Sequence, residues 1–382
     1  MTDMRRQLCW LIFCLTILAE GTPVVSQESP GVDPVRTALI NHQYELKADG
    51  LKFLLDEARN NDFFLLGELH GDNEIPALLR ALWPLMWKHG YRHIAAEVSP
   101  WAAHQLEFVP AGKGPEVQGL WTKDEVMEVH SFADSNAEVL WGCDIEEAQP
   151  QLLIAELALL NPSDLDLRRM TELTKDGYDR KMAPELLDLA KGSKGNKDAV
   201  ANDMSVRENL IETLEVEKNR LDADTKMIAQ NERERLMKEQ FLKHFRRGSA
   251  AGTPSKVLLR FGRNHLPRGY DARGISTLGN FIAEFAVGEG RKTFNVGAFG
   301  AGGKATLHGD TWDADERRDE PAFALLAEKA RYSATVFDLR PLRALLHRIP
   351  QQKRSAVETS LIYWADSYDA VICYKTVTPL KP

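Results

Sequence analysis

Short apolar runs without polar alternation recur along this chain, and they constrain its fold more than any other feature. Phe63-Phe64-Leu65-Leu66, Ile94-Ala95-Ala96, Val139-Leu140-Trp141 and Val257-Leu258-Leu259 are too short for buried helices and lack the period of a half-exposed strand. Strands of this kind are covered on both faces, the situation of a parallel sheet flanked by helices. Between the first two runs, Ile75, Leu78, Leu79, Leu82, Leu85 and Met86 repeat at helical spacing, with Asp72 or Asn73 placed to cap the helix and Gly90 to stop it. Residues 294–297, 334–338 and 370–374 are further strands, about seven in all by run length. The fold class expected is α/β: a mainly parallel, mixed sheet flanked by helices.

Residues 147–255 break the rhythm with charged, Leu-containing helical sequence, read as a large helical insertion that caps the sheet. Asn202 to Arg247 is one long charge-laced stretch with Leu210, Leu214 and Leu221 on a single face. Ala298 to Lys304 (AFGAGGK) is Gly-rich but lacks the hydroxyl residue of a phosphate loop, since Ala305 follows, and it is read as a mobile loop.

The amino terminus has the layout of a secretory signal: Arg5 and Arg6, an apolar run from Leu8 to Ala19, then small and polar residues. The run is short for a membrane span, so the expectation is a signal peptide over 1–26 that ends at Ser26, an exported product and no stable membrane span after cleavage. An arm with a short helix occupies 27–49, and a single α/β domain follows over 50–382. A hydrophobic share of 43% with 27% charged residues excludes a disordered chain and a multi-span membrane protein. The net charge of −8 argues against a nucleic-acid partner. Cys143 and Cys373, which remain after cleavage, lie in apolar runs and are read as buried free thiols.

Two apolar runs end in one four-residue form, Gly67-Glu68-Leu69-His70 and Gly262-Arg263-Asn264-His265. Ligands of open parallel sheets bind outside the carboxyl ends of the strands, so the two histidines can meet in one crevice. Imidazole there serves as a metal ligand or as a base near neutral pH. Glu97 and Asp144 end two intervening strands. Partial desolvation under a cap would raise the pKa of these acids and suit them to general-base work. The candidate set is therefore Glu68, His70, Glu97, Asp144, Arg263 and His265. His70, Glu97 and His265 would form a hydrolytic metal sphere with a position left open for water. The remaining histidines, and Trp83, Trp87 and Trp101, are read as surface or packing residues.

These segments resemble the Tiki/TraB superfamily, which includes the ChaN-like haem-binding proteins and the erythromycin esterases. FLLGELHGDNEIPALLRAL is similar to its first motif, HIAAEVSP to its second strand, WGCDIEEAQ to the esterases' Gly-x-Asp strand, and NDMSVRENL to a helix bearing an arginine. FGRNHLPRGY resembles the second histidine motif, and YDAVICYKTVTPL the closing strand. The resemblance spans most of residues 50–378. It implies that Glu68, His70, Glu97 and His265 are the functional acids and histidines, and that Arg207 binds an oxyanion or a substrate carboxylate. The chain departs from the esterases in the shorter Glu-to-His spacing of GELH and in Gly262, where they carry a second histidine; the spacing is nearer the Tiki and ChaN-like branches.

The reading is an exported hydrolase acting on a small-molecule or peptide substrate. Water would be activated by Glu68 or Glu97 for attack on an ester or amide, with or without a divalent metal (Mn, Co, Zn or Fe). Asp144, Arg207 and Arg263 are the expected substrate-binding residues. The alternative is a ChaN-like haem- or iron-binding protein without turnover.

Overall fold

The unalternating runs become adjacent strands in a computed structural model that describes residues 32–193, 201–249, 255–307 and 309–380. The expected signal peptide lies outside the described residues. The strands are β1 (Gln43–Glu45), β2 (Phe63–Glu68), β3 (Tyr91–Ala96), β4 (Leu140–Gly142), β5 (Lys256–Gly262), β6 (Thr293–Leu307), β7 (Asp310–Asp315), β8 (Ala334–Asp338) and β9 (Ala370–Tyr374). They form one mixed sheet in the order β1-β8-β9-β6-β2-β5-β3-β4, with β7 paired to the far end of β6. The six from β9 to β4 are parallel, while β8 and β1 close one edge in antiparallel fashion.

Pleat alternation sorts side chains to two cores. Phe63, Leu65, Leu259 and Phe261 face one side, and Phe64, Leu66, Leu258 and Val296 the other. The first side is covered by α10 (Lys226–Ser249), α11 (Leu278–Gly288), α12 (Pro321–Lys329), α13 (Arg340–His347) and α14 (Ala356–Ser367), and by α1 (Val32–Asn41). The second is covered by α2 (Leu51–Asn60), α3 (Glu74–Trp87), α5 (Lys123–His130) and part of α4 (Pro100–Phe108). Asp72 Oδ1 accepts the Ile75 amide at 2.9 Å at the start of α3, and Gly90 takes a positive φ of 94° after its end. Cys143 and Cys373 are both free and buried.

The helical insertion is a layer of its own. α6 (Pro150–Leu160), α7 (Leu165–Thr174), α8 (Ala183–Gly192) and α9 (Ala201–Asn219) bury Leu153, Ile154, Met170, Leu186, Leu210 and Leu214 together with Trp101 of α4. The long charged stretch is two helices, α9 and α10; Leu221 lies in the turn between them and is exposed, so it does not share the buried face of Leu210 and Leu214.

Two readings need correction. The Gly-rich segment 298–304 is not a mobile loop. It lies inside β6, where Gly300 N bonds the Glu316 carboxylate and a Cβ at Gly303 would strike the Val377 carbonyl at 2.1 Å. The glycines serve close backbone approach. The arm before residue 50 contributes α1 and the edge strand β1, whose three residues are too few to show a period. No helix among the described residues is long and apolar enough to cross a membrane.

Candidate active site

Strand order brings the two Gly-x-x-His frames side by side. The chain leaves β2 for β3 and returns only after the helical insertion, when β5 fills the place between them. Register then sets Glu68 opposite Gly262, and Ala96 opposite Arg260, so that Glu97 emerges beside Gly262. Two glycines permit this approach. A Cβ at Gly67 would lie 2.8 Å from Arg263 Cβ, and one at Gly262 only 2.6 Å from His70 Nε2.

Alternation splits the acids between the two faces. Glu68 follows Leu66 toward the α3–α5 side, where its Oε2 accepts Arg260 Nε at 2.6 Å. Arg260 also reaches Glu125 Oε1 at 2.5 Å and stacks over Trp121. Glu97 follows Ala95 toward α10. Its Oε1 meets Arg233 Nη2 at 2.8 Å and His265 Nε2 at 3.4 Å; its Oε2 accepts the Gly262 amide at 2.6 Å and faces His70 Nε2 at 3.7 Å. The other nitrogen of His70, Nδ1, lies 3.2 Å from Glu68 Oε1. His265 Nδ1 pairs with Glu234 Oε1 at 2.5 Å, and Glu234 Oε2 accepts the Leu278 amide. The His70 side chain is 32% exposed, whereas those of Glu68, Glu97 and His265 are 2%, 6% and 7% exposed. The solvent-facing member is His70.

The electrostatics differ from the sequence expectation. Burial opposes ionisation of Glu68, but Arg260 and His70 outweigh it and hold its pKa below the usual value. Burial likewise opposes ionisation of Glu97, yet His265, His70 and Arg233 hold it well below. The expectation that desolvation raises Glu97 is thus reversed by His265, His70 and Arg233, of which sequence reading had not placed Arg233. At Asp144 burial prevails: its pKa is raised, with Glu97 and Glu147 adding to the effect against Arg233. Burial disfavours the imidazolium of His265, but Glu97 and Glu234 push its pKa up to about 10. His70 is also raised, because Glu97 and Glu68 outweigh burial and the repulsion of His265.

The structure therefore brings Glu68, His70, Glu97 and His265 into one group, with Asp144 at its edge. Both Asp144 oxygens hold Arg233, through Nε at 2.9 Å and Nη2 at 2.5 Å. Arg263 turns away toward β6, where it pairs with the Glu316 carboxylate, donates to the Ala298 carbonyl and lies over Phe323. Arg207 sits in the helical layer and donates to the Ser193 carbonyl at 3.3 Å. Sequence reading missed Arg233, Glu234, Arg260 and Glu125. Arg260 carried a signal, since a charge inside an apolar strand requires a buried partner. Arg233 and Glu234 carried none within the run of charges 232–239.

A divalent cation does not fit this donor set. The Arg233 guanidinium already occupies Glu97 Oε1, and Glu234 already occupies His265 Nδ1. Among the described residues no group of three or more His, Cys, Asp and Glu is arranged to hold a metal ion.

No protein-family model matches the sequence, and no curated protein is similar to it. Solved structures are similar in fold. A Bacillus cereus protein of known structure superposes with a TM-score of 0.57 at 15% identity, over 91% of this chain and 99% of its own. A succinoglycan biosynthesis protein gives 0.56 at 14% identity, over 91% and 97%. A mutant of the erythromycin esterase EreC in its open conformation gives 0.53 at 15% identity, over 87% and 94%. At such identities the likeness is one of fold, and this chain has the erythromycin esterase fold.

Proposed function

We propose that this chain is an exported hydrolase of esters or amides in which His70, oriented by Glu68, activates water without a metal ion. The observation that carries the reading is the setting of His70. It is the half-buried imidazole of the group, where His265 is buried, and a different carboxylate flanks each ring nitrogen. A base held by an acid that is itself anchored is the arrangement that activates a nucleophile. Here Glu68 holds Nδ1, and Arg260, itself anchored by Glu125, holds Glu68.

The separation of 3.7 Å between His70 Nε2 and Glu97 Oε2 exceeds a hydrogen bond, so Nε2 is available to a water proton. When Nε2 takes that proton the hydroxide oxygen attacks the acyl carbon, and the imidazolium then returns the proton to the departing alkoxide or amine. Glu97, ionised throughout, stabilises the imidazolium. The raised pKa of His70 places the working range on its alkaline side. Export rests on the layout of residues 1–26.

The test is turnover of a panel of aryl and alkyl esters and amides by the mature protein and by His70→Asn. The expected result is measurable wild-type hydrolysis that falls on the order of 10²- to 10⁴-fold in the variant, the range of general-base catalysis. Equal rates in the two, or no hydrolysis across the panel, would overturn the reading.

A further inference from the structure

Arg233 and Glu234 are consecutive on α10, yet one reaches the acid that follows β3 and the other the histidine that follows β5. α10 thus touches both strand ends that frame Gly262. Glu97 is the shared point. Its Oε1 faces Arg233 and His265, and its Oε2 faces the Gly262 amide and His70. A carboxylate is planar and turns as a unit, so whatever fixes one oxygen aims the other.

Arg233 is well made for fixing. Its Nε and Nη2 take the two oxygens of Asp144 in the parallel fork that gives guanidinium its directional hold, and Nη2 also lies 3.3 Å from Glu147. The Arg233 side chain is only 11% exposed. A buried ion pair is weak evidence for added stability, because desolvation offsets most of the attraction. Its worth here is directional.

We propose that Arg233 is a positioning residue that aims the Glu97 carboxylate at Gly262 and His70. The consequence for catalysis rests on the hydrolase reading; the consequence for Glu97 does not.

The experiment compares wild type with Arg233→Met, Arg233→Lys and Asp144→Asn by amide NMR and by kinetics. The Gly262 amide reports Glu97 directly, since it donates to Oε2 at 2.6 Å. In Arg233→Met that resonance moves upfield and exchanges with solvent at least about tenfold faster. The kcat falls at least about tenfold while KM stays within about threefold. Arg233→Lys, which keeps the charge and loses the fork, recovers part of both. Asp144→Asn leaves Arg233 in place with a weaker clamp and moves Gly262 in the same direction, so the test stands even if the Met variant fails to fold. An unmoved Gly262 amide in the folded variants overturns the proposal, and so does a loss confined to KM, which would make Arg233 a substrate contact. If wild type turns over nothing and Gly262 still moves, the hydrolase reading falls and the positioning role stands.

Discussion

Adding one methyl group at Gly262 should lower turnover on the order of 10²-fold and leave the fold standing. The backbone there has φ −50° and ψ 134°, which alanine adopts without strain. The new Cβ would lie 2.6 Å from His70 Nε2, 2.9 Å from Cε1 and 3.2 Å from Glu97 Oε2. Ordinary contacts begin at 3.4 Å, so the ring must withdraw by roughly 0.8 Å. It has room to do so, because its side chain is 32% exposed and anchored at Nδ1 alone. Overpacking relieved by a mobile side chain, partly offset by the entropy that alanine removes from the unfolded chain, leaves a stability change within about 1–2 kcal/mol. A reacting group displaced by about 1 Å loses on the order of 10²-fold in rate. Gly67→Ala is the contrast. Its Cβ would meet Arg263 Cβ at 2.8 Å and Cα at 2.9 Å, atoms bound to the backbone that cannot swing aside. That variant should lose about 1–3 kcal/mol or more as β2 and the turn after β5 are forced apart. Urea unfolding followed by circular dichroism, beside ester turnover, measures both variants. Wild-type rates in Gly262→Ala, or a stability loss there equal to that of Gly67→Ala, would refute the reasoning.

Three more outcomes are expected. His265 has a folded pKa of about 10, above its unfolded value near ~6.5, so its stabilisation is fully present below that value and fades as pH rises through the folded pKa. The difference in unfolding free energy between wild type and His265→Asn should therefore shrink from pH 6.5 to 10; a constant difference would contradict it. Dialysis against EDTA should leave turnover unchanged because Arg233 holds the place a cation would need, and activity lost on dialysis and restored by zinc or manganese would show the reverse. The carboxyl-terminal segment clamps the loop after His70: Gly71 O accepts Leu380 N, Asn73 N donates to Thr378 O, and Thr378 N meets the Glu74 carboxylate. A chain ending at Lys375 should show faster hydrogen exchange at residues 71–74 with β2 still protected, and unchanged protection there would rule the clamp out.

The sequence by itself determined the elements whose signal is local. The unalternating runs had to be strands covered on both faces: β2, β5 and β9 are buried along nearly their whole length, and β3 is buried over its final run Ile94–Ala96. Glu68, His70, Glu97 and His265 were legible as a group because strand-end position is itself a local property, and parallel order carries all such ends to one edge. What only the tertiary structure decided is the company they keep. Arg233 stands 136 residues from Glu97, and Arg260 stands 192 residues from Glu68. Nothing in a charged helix such as α10 marks which of its arginines and glutamates turn inward. At Glu68 such a partner reverses the sign of the pKa shift, since burial alone raises an acid and the Arg260 guanidinium at 2.6 Å lowers it; at Glu97 Arg233 adds to the lowering by His265 and His70. Periodicity reports burial; the sign of a buried charge's pKa shift depends on which distant segment packs against it.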